Sequence, residues 1–259
     1  MRPRNVVVSL LNAAPPVIAR RFRGNGLLAS LIRPIANRAL PDRPTRITVR
    51  TGAGAGLRLV IDPRTEKYYW SGLYEPRAQE VIVEHLTSGD VMWDVGAHIG
   101  FLSAIASRAV GPTGRVVAFE PLPANVLRLT QTVELNELSN VTIREVAVDS
   151  SIGSGAFVVH ASSAMGGLGG TGGGERIDVQ TTTLDSELEG SLPPKLVKID
   201  VEGFEELVLA GGRRLFTEVR PFLIIELLTE EAVARAQSLL PRYALRRIDE
   251  MNFVGDPKG

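Results

Sequence analysis

Residues 91–120 read VMWDVGAHIGFLSAIASRAVGPTGRVVAFE, and the fold turns on how this stretch divides. VMWDV is an apolar run interrupted by one acid, as in a parallel strand covered on both faces. FLSAIASRAV spaces its apolar residues as a helix does, and VVAF is a second strand-like run after a Gly-Pro-Thr-Gly break. Strand, helix and strand at this spacing form a βαβ unit, whose strands are parallel. Between the first strand and the helix sits DVGAHIG, residues 94–100, with a carboxylate at its start and two glycines four apart. Ligands of open parallel sheets bind beyond the carboxyl ends of the strands, where the strand order reverses, so Asp94 faces that crevice. Gly96 permits backbone angles that a Cβ forbids, and Gly100 lets the helix begin close to a ligand.

The alternation continues to the end of the chain. VTIREVAV, KLVKIDV and PFLIIEL are strand-like, and ANVLRLTQTVELN, LDSEL, FEELVLAGG and TEEAVARAQSLL are helix-like. The fold class is therefore α/β, a doubly wound and mostly parallel sheet, with YALRRI and MNFV as antiparallel edge strands. Upstream, RITVRTGAGAGLRLVI reads as a hairpin, and EPRAQEVIVEHL as a helix with Pro76 at its start. We divide the chain into a basic extension with a helical segment and a hairpin, residues 1–75, and a ligand-binding domain, residues 76–259. The run AMGGLGGTGGG, residues 164–174, reads either as a flexible hairpin connection or as a flap over a substrate.

Composition narrows the chemistry. With 259 residues and 44% hydrophobic content, the chain can bury a full core. It has no cysteine, which excludes disulfides, thiolate nucleophiles and cysteine-bound zinc and fits a cytoplasmic setting. Its three histidines, His85, His98 and His160, lie far apart, against a histidine-built metal site. The net charge is zero, yet residues 1–50 hold ten arginines against one acid, Asp42. NVVVSLLNAAPPVIA has the superficial look of a signal peptide but is short, broken by Pro15-Pro16 and without a small-residue cleavage site. Residues 1–40 read as a basic, partly helical arm. It is either a cap on the domain or a peripheral contact with an anionic membrane surface or acidic partner. No nucleic-acid-reading module accompanies the charge, so nucleic acid is not an expected partner.

A second acid gives the glycine turn its meaning. Glu120 ends the next strand, twenty positions after Gly100, where a carboxylate accepts hydrogen bonds from both ribose hydroxyls. A nicotinamide dinucleotide requires G-x-G-x-x-G so that backbone amides approach a pyrophosphate. Here His98 stands in place of the middle glycine, and Asp94 would set negative charge beside phosphate. S-adenosylmethionine has no phosphate, carries an amino group for an acid to hold, and bears a sulfonium that tolerates carboxylates. The turn suits a cationic adenosyl ligand.

DVGAHIGF, GRVVAFEPLP, TLDSEL, LVKIDVEGFEELVLAGG and FLIIEL, in that order, resemble the motifs of the FkbM-type methyltransferase family, and YYWSGLYEP is similar to a stretch that often precedes that domain. The resemblance runs from about residue 65 to 228 and leaves out the arginine-rich start. It implies a class I methyltransferase fold, a Rossmann-like sheet of seven strands with the last antiparallel. It also implies methyl transfer from S-adenosylmethionine to oxygen, commonly a hydroxyl of a sugar, glycolipid or polyketide, with a small-molecule or glycan acceptor. By position, Asp94, Gly96, His98 and Gly100 line the methionine end of the cofactor and Glu120 holds the ribose. Ala147, at the end of the third strand, lies against the adenine or is an ordinary core residue, and Asp149 reaches the exocyclic amine. His98 is a ligand contact or a hydrogen-bonded loop residue. Tyr74 closes over the cofactor or packs against the domain.

For catalysis, the fourth strand offers Lys198-Ile199-Asp200-Val201-Glu202-Gly203 at its carboxyl end. If the strand persists, alternation puts Lys198, Asp200 and Glu202 on one side. Buried charges are costly unless paired or used by a ligand. Either Lys198 neutralises a carboxylate while Glu202 caps the next helix, or Asp200 and Glu202 are catalytic. In the second case, Asp200 contacts the methyl-donor pocket and one of the pair accepts the acceptor's proton. Asp200, Glu202 and Glu226 as a divalent-cation site is a low-specificity reading, and no metal is assigned. The competing functions are a nicotinamide-dependent oxidoreductase and a catalytically silent scaffold. Oligomeric state does not follow from the chain.

Overall fold

The structure, a computed structural model, describes residues 40–41, 43–159, 166–168 and 175–258. The arm read over residues 1–40 and most of the glycine run 164–174 lie outside the described residues, apart from Leu40 and Gly166–Leu168.

A hairpin opens the fold: β1 (Thr45–Thr48) pairs antiparallel with β2 (Arg58–Ile61). Two helices follow, α1 (Lys67–Ser71) and α2 (Pro76–His85), the latter with Pro76 in its first turn. Then come β3 (Val91–Val95), α3 (Phe101–Val110), β4 (Arg115–Phe119), α4 (Pro123–Leu135) and β5 (Val141–Arg144). After an accessory sheet, the chain continues through α5 (Leu184–Gly190), β10 (Leu196–Ile199) and α6 (Glu205–Ala210). A π-helical turn (Leu215–Val219), β11 (Phe222–Glu226), α7 (Glu230–Leu239), β12 (Tyr243–Arg247) and β13 (Asn252–Pro257) complete it.

The main sheet has seven strands in the order β12-β13-β11-β10-β3-β4-β5. Its strands run parallel except β13, which is antiparallel to both neighbours. This is the class I methyltransferase arrangement. Strand alternation assigns the two faces. Met92, Val116, Leu196, Ile224 and Val254 share one core with α2, α3 and the β1–β2 hairpin. Trp93, Val117, Val197, Leu223 and Phe253 share the other with α5, α6, the π-helical turn and α7. The sheet is therefore doubly wound, and its strand order reverses between β3 and β10.

Three local readings are corrected. VTIREVAV is not one strand, because Val146 N–H bonds Arg144 C=O two residues back, a tight turn that redirects the chain. Ala147 consequently sits in β6 (Ala147–Val148), part of a second sheet of order β6-β9-β7-β8, built with β7 (Gly153–Val159), β8 (Gly166–Leu168) and β9 (Glu175–Thr182). Of the two expected edge strands, β13 is interior, with Asn252, Phe253, Val254 and Gly255 buried between β11 and β12. Finally, β10 stops at Ile199, because Glu202 (φ 55°) and Gly203 (φ 97°) adopt left-handed angles that no strand continues. Strand alternation therefore does not extend to Glu202.

Candidate active site

A cavity of about 330 Å³ opens at the carboxyl ends of β3, β4 and β10, where the strand order reverses. Gly96, His98, Glu120, Ala147, Asp200 and Glu202 all line it. Asp94, Gly100 and Asp149 do not.

The turn after β3 is held by its neighbour strands. Gly96 has φ 82°, and a Cβ there would fall 1.8 Å from the Asp200 carbonyl oxygen. Only glycine lets the two strand ends meet this closely. Gly100 (φ 78°) serves a different contact from the one expected: a Cβ would strike Leu129 of α4 at 2.2 Å, so this glycine brings two helices together. His98 also has a left-handed φ of 50°. Its N–H donates to Glu120 Oε2 at 2.8 Å, and its Nδ1 lies 2.9 Å from the Tyr69 hydroxyl. Its Nε2 is buried without a partner. Burial, then the Arg128 guanidinium, hold the imidazole pKa down to about 4, so His98 is neutral at physiological pH.

Glu120 is 4% exposed, and both of its carboxylate oxygens accept hydrogen bonds from the protein. Its Oε1 accepts from Leu122 N–H at 3.0 Å and Asn125 Nδ2 at 3.2 Å. Burial raises its pKa, and these N–H donors, with that of His98, oppose the shift. With two donors on Oε1 and one on Oε2, the carboxylate's orientation is fixed and an acceptor site on Oε2 stays open to a ligand hydroxyl. Beside it, Leu122, Ala147, Phe157 and Phe204 form an apolar wall. Asp149 is turned away: its Oδ1 accepts from Ser150 N–H at 2.5 Å.

Behind the cavity floor lies a buried charge cluster. Asp94 and Lys198 are register partners on β3 and β10, so both side chains project to the α3 face. Ser103 of α3 donates to Asp94 Oδ2 at 2.5 Å, whereas Asp94 Oδ1 has no hydrogen-bond partner. Lys198 Nζ donates to Asp200 Oδ2 at 3.0 Å and stands 3.9 Å from Asp94 Oδ1. Burial works to lower the Lys198 pKa, but Asp200, Asp94 and Glu75 leave it above the usual lysine value, so it is charged. Burial, then Asp200, push Glu226 up to about 9, which makes it a neutral carboxyl group bonded to Asp200. Glu202 stands at the mouth, and burial followed by Asp200 raises it to about 7. No hydrogen bond among the described residues engages its carboxyl group. Glu202 does not cap α6; Glu205 instead accepts from Val201 and Gly203 N–H at 3.2 and 3.0 Å.

Several site residues were not singled out from the sequence. Tyr69 lines the cavity, its ring centroid 4.3 Å from that of Tyr74, the cavity-lining tyrosine that the sequence did single out. Glu66 lines it as well and is clamped by Arg128, whose Nη1 lies 2.9 Å from Glu66 Oε1. Glu75 is buried beside Lys198 and Asp200, and burial raises it to about 7. The only signal for Glu75 is an acid before a helix-starting proline, which reads as a helix cap.

The chemistry of this donor set suits S-adenosylmethionine. Glu120 presents an oriented acceptor to the cavity, Asp94 keeps one oxygen without a hydrogen bond beside it, and the apolar wall matches a purine. Acids outnumber the single buried lysine, which favours a cation over a phosphate. Among the described residues, no group of three or more histidine and acidic side chains is placed to hold a metal ion, and no helix is long and apolar enough to cross a membrane.

Comparison with known proteins gives concordant results. Residues 94–246 match the Methyltransferase FkbM domain. The hexuronic acid methyltransferase AglP of Haloferax volcanii is 32% identical over 149 residues, covering 57% of this chain and 59% of that protein, less than two thirds of its length. Two solved structures are similar at 16% identity. The methyltransferase FkbM of Methylobacillus flagellatus aligns with TM-score 0.46 over 72% of this chain and 64% of its own. The precorrin-6Y C5,15-methyltransferase of Geobacter metallireducens aligns with TM-score 0.48 over 72% and 90%. The family match sets aside the nicotinamide reading. It covers more than half of the chain, which belongs to the FkbM methyltransferase family.

Proposed function

We propose that this protein transfers the methyl group to a hydroxyl of a sugar or glycan, forming a methyl ether. Hydroxyl methylation needs a group to take the proton, and the observation that carries the reading is Glu202. It stands at the cavity mouth, unencumbered by hydrogen bonds among the described residues, with its pKa raised to about 7. Asp200 is occupied by Lys198 and Glu226. Asp200 therefore orients the reacting groups and Glu202 accepts the proton. The sugar class is supported by the hexuronic acid methyltransferase relative.

When bound, the cofactor supplies a sulfonium-activated methyl group. The chain's part is placement. Glu120 would hold the ribose diol, Ala147 and the wall around it the adenine, and Asp94, Gly96 and His98 the methionine end. Gly100 acts indirectly by seating α3. The geometry gives Asp149 no contact with the cavity.

The test is to incubate purified protein with S-adenosylmethionine and a panel of neutral and acidic sugars, following the products by mass spectrometry. The expected product gains one methylene and keeps it through mild alkali. Loss of the methyl group in alkali would identify a carboxyl ester, which needs no base, and would overturn the hydroxyl reading. No methylated product, with S-adenosylhomocysteine still bound, would favour the silent scaffold. Contact of the arginine-rich arm with anionic lipid would suit a lipid-linked acceptor; co-sedimentation with anionic vesicles tests it.

A further inference from the structure

Glu75 precedes the first residue of α2, where an acid ordinarily accepts a hydrogen bond from its own helix. It makes no such bond. Its backbone is instead held at φ 41°, ψ 60°, a left-handed conformation that costs free energy in a residue with a Cβ. The residue is half-buried, and its Oε2, itself buried, has no hydrogen-bond partner. Tyr74 is hydrogen-bonded to the Glu75 carboxyl group, and a strained backbone that forgoes a cap and still leaves Oε2 bare calls for a further donor.

The surroundings define that donor. Titratable groups from every adjoining element face Glu75: Tyr69 of α1, Tyr74, Asp94 of β3, Lys198 and Asp200 at the end of β10, and Glu226 of β11. Lys198 is the one cation among them, and its ammonium is directed at Asp200 Oδ2 (3.0 Å) and Gly96 O (3.4 Å). Asp94 Oδ1, in a residue 1% exposed, is likewise without a hydrogen bond. Two buried carboxylate oxygens thus lack hydrogen-bond donors, on residues whose chain neighbours Tyr74 and Val95 line the cavity. A second ammonium, with three N–H donors and one positive charge, would satisfy both oxygens and balance the excess of acids.

We infer that Glu75, together with Asp94, receives the α-ammonium of the cofactor's methionyl group. This rests on the cofactor assignment and deepens it, because Glu75 lies outside the segment 94–246 that carries the family match. A residue from the preceding segment thereby completes the cofactor site. Burial holds Glu75 near pKa 7 without that partner. Binding an ammonium ionises it, so a proton is released on binding near neutral pH, and affinity falls as pH drops through 7.

S-adenosylhomocysteine is the decisive probe, because it keeps the ammonium and lacks the sulfonium. Isothermal titration at pH 7 in two buffers of different ionisation enthalpy should show proton release from the wild type. Glu75→Gln should abolish that release and weaken binding by about tenfold or more. 5′-Methylthioadenosine, which has no ammonium, should bind wild type and Glu75→Gln alike. Unchanged S-adenosylhomocysteine affinity and proton release in the variant would overturn the assignment. So would equal losses for both ligands, which would mean a structural role. A wild type that binds methylthioadenosine but gains nothing from the ammonium refutes the Glu75 site alone. One that binds neither ligand refutes the cofactor assignment as well.

Discussion

The backbone N–H of His98 lies 2.8 Å from Glu120 Oε2, so the turn after β3 is tied to the acid at the end of β4. Two strand ends and one cavity-lining carboxylate are thus a single mechanical unit. The carboxylate proposed to hold the ribose is oriented before any ligand arrives, which reduces the ordering cost of binding.

Glu120→Ala should therefore act twice. It removes the diol acceptor and strands the His98 and Leu122 N–H groups. We expect S-adenosylhomocysteine affinity to fall about tenfold or more, and stability to fall by about 1–3 kcal/mol. Calorimetry and chemical denaturation measure the two effects separately; unchanged affinity would remove the ribose role.

Gly96→Ala should be poorly tolerated. The new Cβ meets the Asp200 carbonyl oxygen at 1.8 Å, and φ is 82°. Overpacking and left-handed strain together predict a loss of about 2–4 kcal/mol, read as a lower denaturation midpoint.

Turnover should rise with pH through about 7 and level off above it, because Glu202 accepts a proton only when ionised. Glu202→Gln should cut kcat strongly and abolish that limb while leaving S-adenosylhomocysteine binding near wild type. A pH profile that survives the substitution would place the base elsewhere.

His98 should show no imidazole titration by NMR between pH 5 and 8, given a pKa lowered to about 4 by burial and by Arg128. The folded state holds His98 neutral while the unfolded chain protonates it near the usual value. The associated stability is therefore lost as pH falls from the ordinary histidine range toward 4.

Glu226 works in the opposite direction. Its folded pKa is raised to about 9 by burial and by Asp200, so the folded state holds a proton that the unfolded chain has released. Its contribution is present below the ordinary carboxylate range and is lost as pH rises toward 9. Glu226→Gln, which imitates the protonated form, should raise Tm at pH 8–9 and change it little at pH 4.

Where local pattern and burial agreed, the sequence was readable. VMWDV, VVAF and FLIIEL became β3, β4 and β11 because apolar runs between helical segments leave few alternatives. Asp200, Glu120 and His98 came together because each sits in or beside the loop that follows a neighbouring strand. The misses arose where a single backbone event overrode a pattern. The three-residue turn at Arg144–Val146 moved Ala147 into another sheet, and the left-handed Glu202 ended the alternation that a longer strand would have carried on from Lys198. Glu75 was hidden for the same reason: with its left-handed φ, a cap-like residue makes no capping hydrogen bond and leaves a carboxylate oxygen buried.

The hairpin turn of β1–β2 touches the first residue of α3, since a Cβ on Gly54 would lie 2.5 Å from the Phe101 ring. Leu57, Leu59 and Ile61 share a core with Ile105 and Met92. Excising the stretch that matches the family would therefore tear open an oily interior instead of freeing a module. Any graft of this chemistry onto another protein has to carry the residues from about Thr45 onward as part of the same fold.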